Sequence, residues 1–232
     1  MSIQINYKNT GLKKSSSHPV LFTNEKFNIK HLKKYISGPE FSYIDDLLKT
    51  SDLRKNLFIF ELNSKKKIVL ISIKKDLKGF DIENLGAELY ERINYGKSSS
   101  YTINADSIIG NYEHFIGHLL HGVKLKSYEF NKYKTKKETR IISINLFGSK
   151  NKLSPKEKLK FKALEEGVFY ARDLVSEPGN ILHPDEYAKR LMSLKKLGIK
   201  VNIYDNKKLK RLGMNSLLGV GQGSARGSYL VT

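Results

Sequence analysis

Three histidines, His114, His118 and His121, stand at i, i+4 and i+7 of a stretch with helical apolar spacing. On one helix their imidazoles share a face and can converge as nitrogen ligands for a divalent ion. The spacing differs from the His-Glu-x-x-His of metallopeptidases, Glu113 falls elsewhere on the wheel, and Gly117 and Gly122 weaken the helix, so solvated or capping histidines are the competing reading. A second candidate, Gly221-Gln222-Gly223-Ser224-Ala225-Arg226-Gly227, follows a short apolar run with nearly the glycine spacing of a dinucleotide loop. Such a loop must open a helix whose amino end faces the phosphate. Here Ser228 to Thr232 reads as extended chain, which favours a glycine-permitted turn. Asp45-Asp46 and Asn104-Ala105-Asp106 are isolated acidic sites, and there is no serine nucleophile elbow or Walker-type loop. The absence of cysteine excludes disulfides, thiolate zinc sites, iron–sulfur clusters and thiol nucleophiles together.

Charge supplies the third candidate. Lysine and arginine number 42 against 23 acidic residues, a net charge of +19, while 39% hydrophobic and 10% aromatic content argues for a folded chain. The densest basic segment runs from Lys124 to Lys137, where Lys124, Lys126, Lys132, Lys134, Lys136 and Lys137 interleave with Tyr128, Phe130 and Tyr133. Lysines that neutralise phosphates beside rings that stack on bases make a surface for nonspecific nucleic-acid contact, through Lys124, Lys126, Tyr128, Lys132, Tyr133, Lys134, Lys136 and Lys137. Arginine, the better residue for bidentate base recognition, is sparse, which argues against sequence-specific readout. The plain alternative is a lysine-rich composition spread over every solvated face. No run of about 18 apolar residues suggests a membrane span, and the first residues lack the apolar stretch of a signal peptide, so a soluble cytoplasmic protein is expected.

The elements that position these residues read as follows. The first 55 residues or so are the least legible, with turns expected at Ser15-Ser16-Ser17-His18-Pro19 and Ser37-Gly38-Pro39-Glu40. Leu57 to Leu62 and Ile68 to Ile73 predict a hairpin about a polar turn. Leu85, Leu89 and Ile93 predict a helix over 82–93 stopped near Gly96, and a second helix is expected over about 105–120. Ile141 to Phe147 reads as a buried strand ended by Gly148. Ser154-Pro155-Lys156-Glu157 is a capping box with proline at the first helical position, opening a helix of about 20 residues with Leu164, Val168, Ala171 and Val175 along one face. Pro184 opens another helix ending at Gly198. Ile199, Val201 and Ile203 then alternate as a strand, and Asp205 caps a short helix stopped by Gly213. Leu217 to Val220 reads as an interior strand and Tyr229 to Thr232 as the start of one more. The whole is an α/β pattern whose second domain, from about residue 170, looks too short to cover a parallel sheet.

Three stretches together resemble the leucyl aminopeptidase family, also called cytosol aminopeptidases: Lys126 to Lys136, Glu166 to Val175 and Leu212 to Arg226. The resemblance is specific over about 124–232 and general before residue 100. Ser176-Glu177-Pro178-Gly179-Asn180 departs from the asparagine–threonine–proline–alanine–asparagine-like sequence common there, and His183 stands where a threonine usually caps a helix. The resemblance implies a macro-like amino-terminal domain over 1–152, a connecting helix over 153–176 and the start of an α/β/α catalytic domain over 177–232. It further implies peptide substrates, a homo-hexamer, and two divalent ions, manganese or zinc, held by a lysine and several carboxylates that activate a water and polarise the scissile carbonyl. Those ligands lie downstream of the segment matching Thr232, so none carries over to this sequence. The expectation is a truncated chain that is inactive alone. The alternative is a basic nucleic-acid-binding or accessory module.

Overall fold

The computed structural model describes residues 3–7, 17–95, 99–136, 141–149 and 152–232. The chain divides into two compact units, Met1–Phe169 and Tyr170–Thr232. Unit 1 contains strands β1 (Ile3–Asn6), β2 (His18–Asn24), β3 (Leu57–Asn63), β4 (Lys66–Ile73), β5 (Ser99–Asn104) and β6 (Ile142–Phe147). They form one sheet in the order β1-β6-β5-β2-β4-β3. All neighbours are parallel except β3, which returns along β4 as the expected hairpin.

A mainly parallel sheet has to be covered on both faces, and the strand sequences show it. The last six residues of β4 are all buried, Val69, Ile71 and Ile73 toward one face and Ile68 and Leu70 toward the other. The first face is covered by helices α2 (Gly79–Ile93) and α3 (Phe115–Lys126), whose Leu89, Ile93, Ile116, Leu119 and Val123 meet Val20, Phe22, Ile103 and Ile144. Opposite lie α1 (Gly38–Thr50) and a 3₁₀ turn over Lys30–Lys34, which bring Ile44, Leu48 and Leu32 against Leu21, Phe60 and Leu70.

Helices α2 and α3 touch backbone to backbone. A Cβ on Gly86 would lie 2.0 Å from the Leu119 carbonyl oxygen, and one on Gly122 would lie 1.9 Å from that of Glu83. The glycines that weaken α3 as an isolated helix are therefore what let it approach α2.

Helix α4 (Pro155–Ser176) runs from unit 1 into unit 2. Unit 2 continues with α5 (Pro184–Met192), a 3₁₀ turn over Ser193–Leu197, β7 (Ile203–Tyr204), α6 (Asn206–Arg211), α7 (Asn215–Gly221) and β8 (Leu230–Val231). Gly198 ends the α5 segment at φ +81° and Gly213 follows α6 at φ +70°, the left-handed conformation that suits a helix terminus.

Several expectations are corrected. His18 and Pro19 open the interior strand β2 rather than a turn, with proline near the strand start where a missing amide is tolerated. Ser37 to Glu40 starts α1 through a capping box, the Ser37 amide donating to Glu40 Oε2 at 3.0 Å. The helix expected over 105–120 is a 3₁₀ turn at Ala105–Ser107, and α3 begins only at Phe115. Gly110 and His114, at φ +94° and +52°, cannot continue a right-handed helix between them. Leu217 to Val220 lies inside α7, not a strand, since a four-residue apolar run carries no period of its own. Of the expected strand Ile199 to Ile203 only the end is paired, and β7 runs antiparallel to β8. On α4 the buried apolar side chains are Phe161, Phe169 and Leu174, while Leu164 and Val175 face solvent at 46% and 86% exposure. Gly96, Ser15 and Ser16 lie outside the described residues.

The glycine contact is open to a paired test. Gly122→Ala is expected to destabilise unit 1 by about 2 kcal/mol through overpacking, whereas Gly167→Ala, with nothing near its Cβ on the exposed side of α4, is expected to stabilise by about 0.5–1 kcal/mol. Denaturant midpoints at unchanged slope would measure both.

Candidate functional site

His118 and His121 lie on α3, while His114 is the left-handed residue that precedes it, and the three rings do not converge. His114 Nδ1 pairs with Glu157 and its Nε2 lies 3.2 Å from Glu113 Oε1, while His118 Nδ1 meets Glu83 Oε1 at 2.8 Å. His121 is buried, its Nδ1 3.7 Å from Glu165 Oε1 and without a hydrogen bond. Each ring thus points to its own carboxylate, from α2, α4 or the segment before α3. Among the described residues no group of three or more histidine, aspartate or glutamate side chains is placed to hold a metal ion.

The arrangement serves attachment. Phe161 of α4 sits where a Cβ on Gly117 would be, 2.1 Å from its ring, with the His118 ring 5.1 Å away edge-on and the His121 ring at 5.6 Å. Burial, and then the Glu165 carboxylate, push the Tyr7 hydroxyl above its ordinary pKa, and Lys158 Nζ lies 4.4 Å over the Tyr7 ring. At the start of α4 the reciprocal cap is complete: the Ser154 amide donates to Glu157 Oε2 at 2.6 Å and the Glu157 amide to Ser154 Oγ at 3.2 Å.

The lysine–aromatic segment is only partly free. Lys124 and Lys126 occupy the last turn of α3, where Lys124 Nζ donates to the Ile3 carbonyl at 3.2 Å and Lys126 Nζ pairs with Glu91 at 2.5 Å. Tyr128 packs against Phe169 with ring centroids 5.3 Å apart. Phe130 and Tyr133 meet edge to face, Lys132 Nζ lies 5.5 Å over the Tyr133 ring, and Tyr133 keeps 51% of its surface exposed. Lys134 and Lys136 are exposed, and Lys137 lies outside the described residues.

In unit 2 the glycine-rich segment follows α7 and leads into β8, so it does not open a helix. The Ser224 amide donates to the Gly221 carbonyl at 3.0 Å and the Arg226 amide to Ser224 Oγ at 3.1 Å, which makes the segment a turn. Arg226 reaches Asp185 at 3.3 Å, and His183 Nδ1 pairs with the same carboxylate. Partial burial would raise the Asp185 pKa, but the hydrogen bond and charge of His183, the Asp185 amide and Arg226 together hold it low. Arg190 ties the end of α4 to α5, donating to the buried Glu177 at 2.8 Å and to Glu186 at 3.0 Å, while the Tyr170 hydroxyl donates to the Arg190 carbonyl. The helix-start signal at Pro184 places Asp185, but no local pattern announces Arg226 as its partner.

Comparison with known proteins gives this geometry its context. Residues 169–232 match the family model described as "Cytosol aminopeptidase family, catalytic domain". A probable cytosol aminopeptidase of Bradyrhizobium is 42% identical over 119 residues, 47% of this chain and 23% of that protein. One of Rhodopseudomonas palustris is 36% identical over 155 residues, 64% of this chain and 31% of that protein. Among solved structures, a variant of tomato leucine aminopeptidase superposes on 99% of this chain and 50% of its own, with a TM-score of 0.71 at 18% identity. The bottromycin maturation enzyme BotP, in complex with manganese, covers 94% of this chain and 44% of its own, with a TM-score of 0.66 at 14% identity. The α/β fold is therefore shared with these two structures. The chain's resemblance to the leucyl, or cytosol, aminopeptidase family is shown, and it spans about a quarter to a third of the curated relatives named here.

The cap at α4 gives a pH signature. The Ser154 hydroxyl and amide, and then His114, hold the Glu157 carboxyl below its ordinary pKa. A carboxylate depressed in the folded state stabilises above its unfolded pKa, and that contribution is lost as pH falls through the folded one. The protection of the first-turn amides of α4 against hydrogen exchange, taken relative to their intrinsic rate at each pH, is expected to fall on acidification through and below the ordinary carboxylate range, and Glu157→Gln is expected to flatten that dependence.

Proposed function

We propose that this chain serves a metal-dependent aminopeptidase of the leucyl class, which releases amino-terminal residues from peptides. In this reading residues 1–152 are a macro-like amino-terminal domain, 153–176 a connecting helix, and 177–232 the first part of the catalytic domain. The observation that carries it is the family match on 169–232, supported by the likeness of fold to tomato leucine aminopeptidase. Assembly as a hexamer belongs to the same proposal. So do paired manganese or zinc ions, in keeping with the manganese bound to BotP.

The residues described do not fit a site for two such ions: the histidines are each committed to a separate carboxylate, and Asp185 is committed to His183 and Arg226. No catalytic step is therefore assigned to them. The 232 residues on their own are expected to give no cleavage of a leucine anilide above background with added manganese, and to retain no stoichiometric metal on elemental analysis. Cleavage by the purified chain would overturn that assignment.

A second reading, nonspecific nucleic-acid contact, is favoured by one observation: Tyr133 stands half exposed among Lys132, Lys134 and Lys136. Gel retardation that disappears with modest salt, and weakens in a Lys132/Lys134/Lys136→Ala variant, is the result it requires. No retardation at low salt would remove it.

A further inference from the structure

Unit 1 holds a cleft of about 240 Å³ where the end of β4, the turn before β3 and one side of α2 meet. At about 30 Å³ per water it has room for about eight waters, short of the roughly 300 Å³ at which drug-sized pockets begin. Its occupant is therefore small. Asp81, Asn84, Leu85 and Glu88 stand at i, i+3, i+4 and i+7 of α2 and line the cleft along two turns of one helix face.

The two ends of the cleft differ in charge. At one end Glu88 is half-buried, and its carboxylate has a single long contact, 3.5 Å from Asn56 Nδ2. The Asn56 carbonyl in turn accepts from the Ser72 amide at 2.8 Å, which ties this end to β4. Lys74 comes two residues after Ser72, about 6.6 Å further along an extended chain. It lines the cleft, is exposed, and has no acidic partner among the described residues. Asp81 is spent on the helix cap, its Oδ2 accepting from the Lys78 amide at 2.9 Å, which leaves Glu88 as the carboxylate open to a ligand. Between the charges lie the carboxamides of Asn56 and Asn84, each both donor and acceptor, and an apolar wall of Leu77 and the 8% exposed Leu85.

The wall at Lys74 is set in advance. The Tyr112 hydroxyl donates to the Lys74 carbonyl at 2.8 Å, and Asp76 turns the chain toward α2 at φ +58°. A non-glycine residue in that region persists only where its surroundings over-determine it.

We propose that this cleft binds a zwitterion of dipeptide size, its ammonium at Glu88 and its carboxylate at Lys74. The peptide group lies against the two asparagine carboxamides, and one apolar side chain lies on Leu77 and Leu85. Two extended residues span about 7 Å, which matches the separation of the charged ends. A single amino acid carries its charges on neighbouring groups and reaches one end only. The proposal stands on the charges and dimensions of unit 1 and is independent of the aminopeptidase reading of residues 169–232.

The test titrates glycyl-leucine into the full 232-residue chain and follows backbone amides by NMR. Saturable shifts confined to the first three turns of α2 and the ends of β3 and β4 are expected, with a dissociation constant on the order of 1 mM. N-acetyl-glycyl-leucine lacks the ammonium, glycyl-leucinamide lacks the carboxylate, and both are expected to bind about tenfold more weakly, as is free leucine. Glu88→Gln and Lys74→Met are each expected to cost about tenfold with the α3 amides unmoved. Glu88→Gln should also remove the discrimination against the acetylated peptide, and Lys74→Met that against the amide, which a merely structural effect would not do. No saturation by about 10 mM, blocked analogues or leucine that bind as tightly as glycyl-leucine, or binding indifferent to both variants would overturn the site.

Discussion

The contact on which the rest of unit 1 leans is the close approach of α3 to its neighbours through glycine. Gly122 brings it against the α2 backbone and Gly117 makes room for Phe161 of α4. With α2 and α3 locked together, one face of the sheet has its cover, and the ring of Phe161 fixes where α4 begins its path. A methyl group at either glycine would have to displace backbone or an aromatic ring, so the tolerance at these positions is set by hard contact rather than by helix propensity.

Charge is arranged around that contact in pairs. Glu83, Glu157 and Glu165 each face a different histidine on α3 or at its start, and Glu91 meets Lys126 at its end. In a chain with a net charge of +19, acidic side chains are scarce, and several of them are used at the junctions between helices. The same economy holds in unit 2, where Glu177 and Glu186 clasp Arg190, and Asp185 receives both His183 and Arg226.

Elements defined by local chemistry were legible, and those defined by partners were not. The hairpin of β3 and β4, the strand β6, the cap of α4, and the starts and stops of α5 and α6 all follow from turn residues, caps and glycine at helix ends. The strand β2 was hidden because Pro19 reads as a turn until the neighbouring strands show that its missing amide falls at a strand start. Leu217 to Val220 and Ile68 to Ile73 look alike as apolar runs, yet one is helix and the other strand, and length with β-branched content is what separates them. At the candidate sites, the histidine spacing placed His118 and His121 on one helix correctly, but His114 precedes that helix in a left-handed conformation. Where each ring points depends on carboxylates 35 to 44 residues away or adjacent in sequence, which no spacing within the helix encodes. The family likeness came from motif stretches and not from any reactive constellation, which is why it named a class without naming a residue that does chemistry.

The sheet order has a further consequence for how the polypeptide acquires its shape. β1, at the very beginning, is stitched to β6 by Asn6, whose amide bonds to Ser143 and Asn145 span 137 and 139 positions. Closing a loop of that size must precede any reward from the pairing, so the topology belongs to the slow, high-contact-order class. During synthesis the amino-terminal strand emerges with no neighbour to join and has to wait until nearly two-thirds of these residues have left the ribosome, exposed to chaperones or to other nascent chains in the interval.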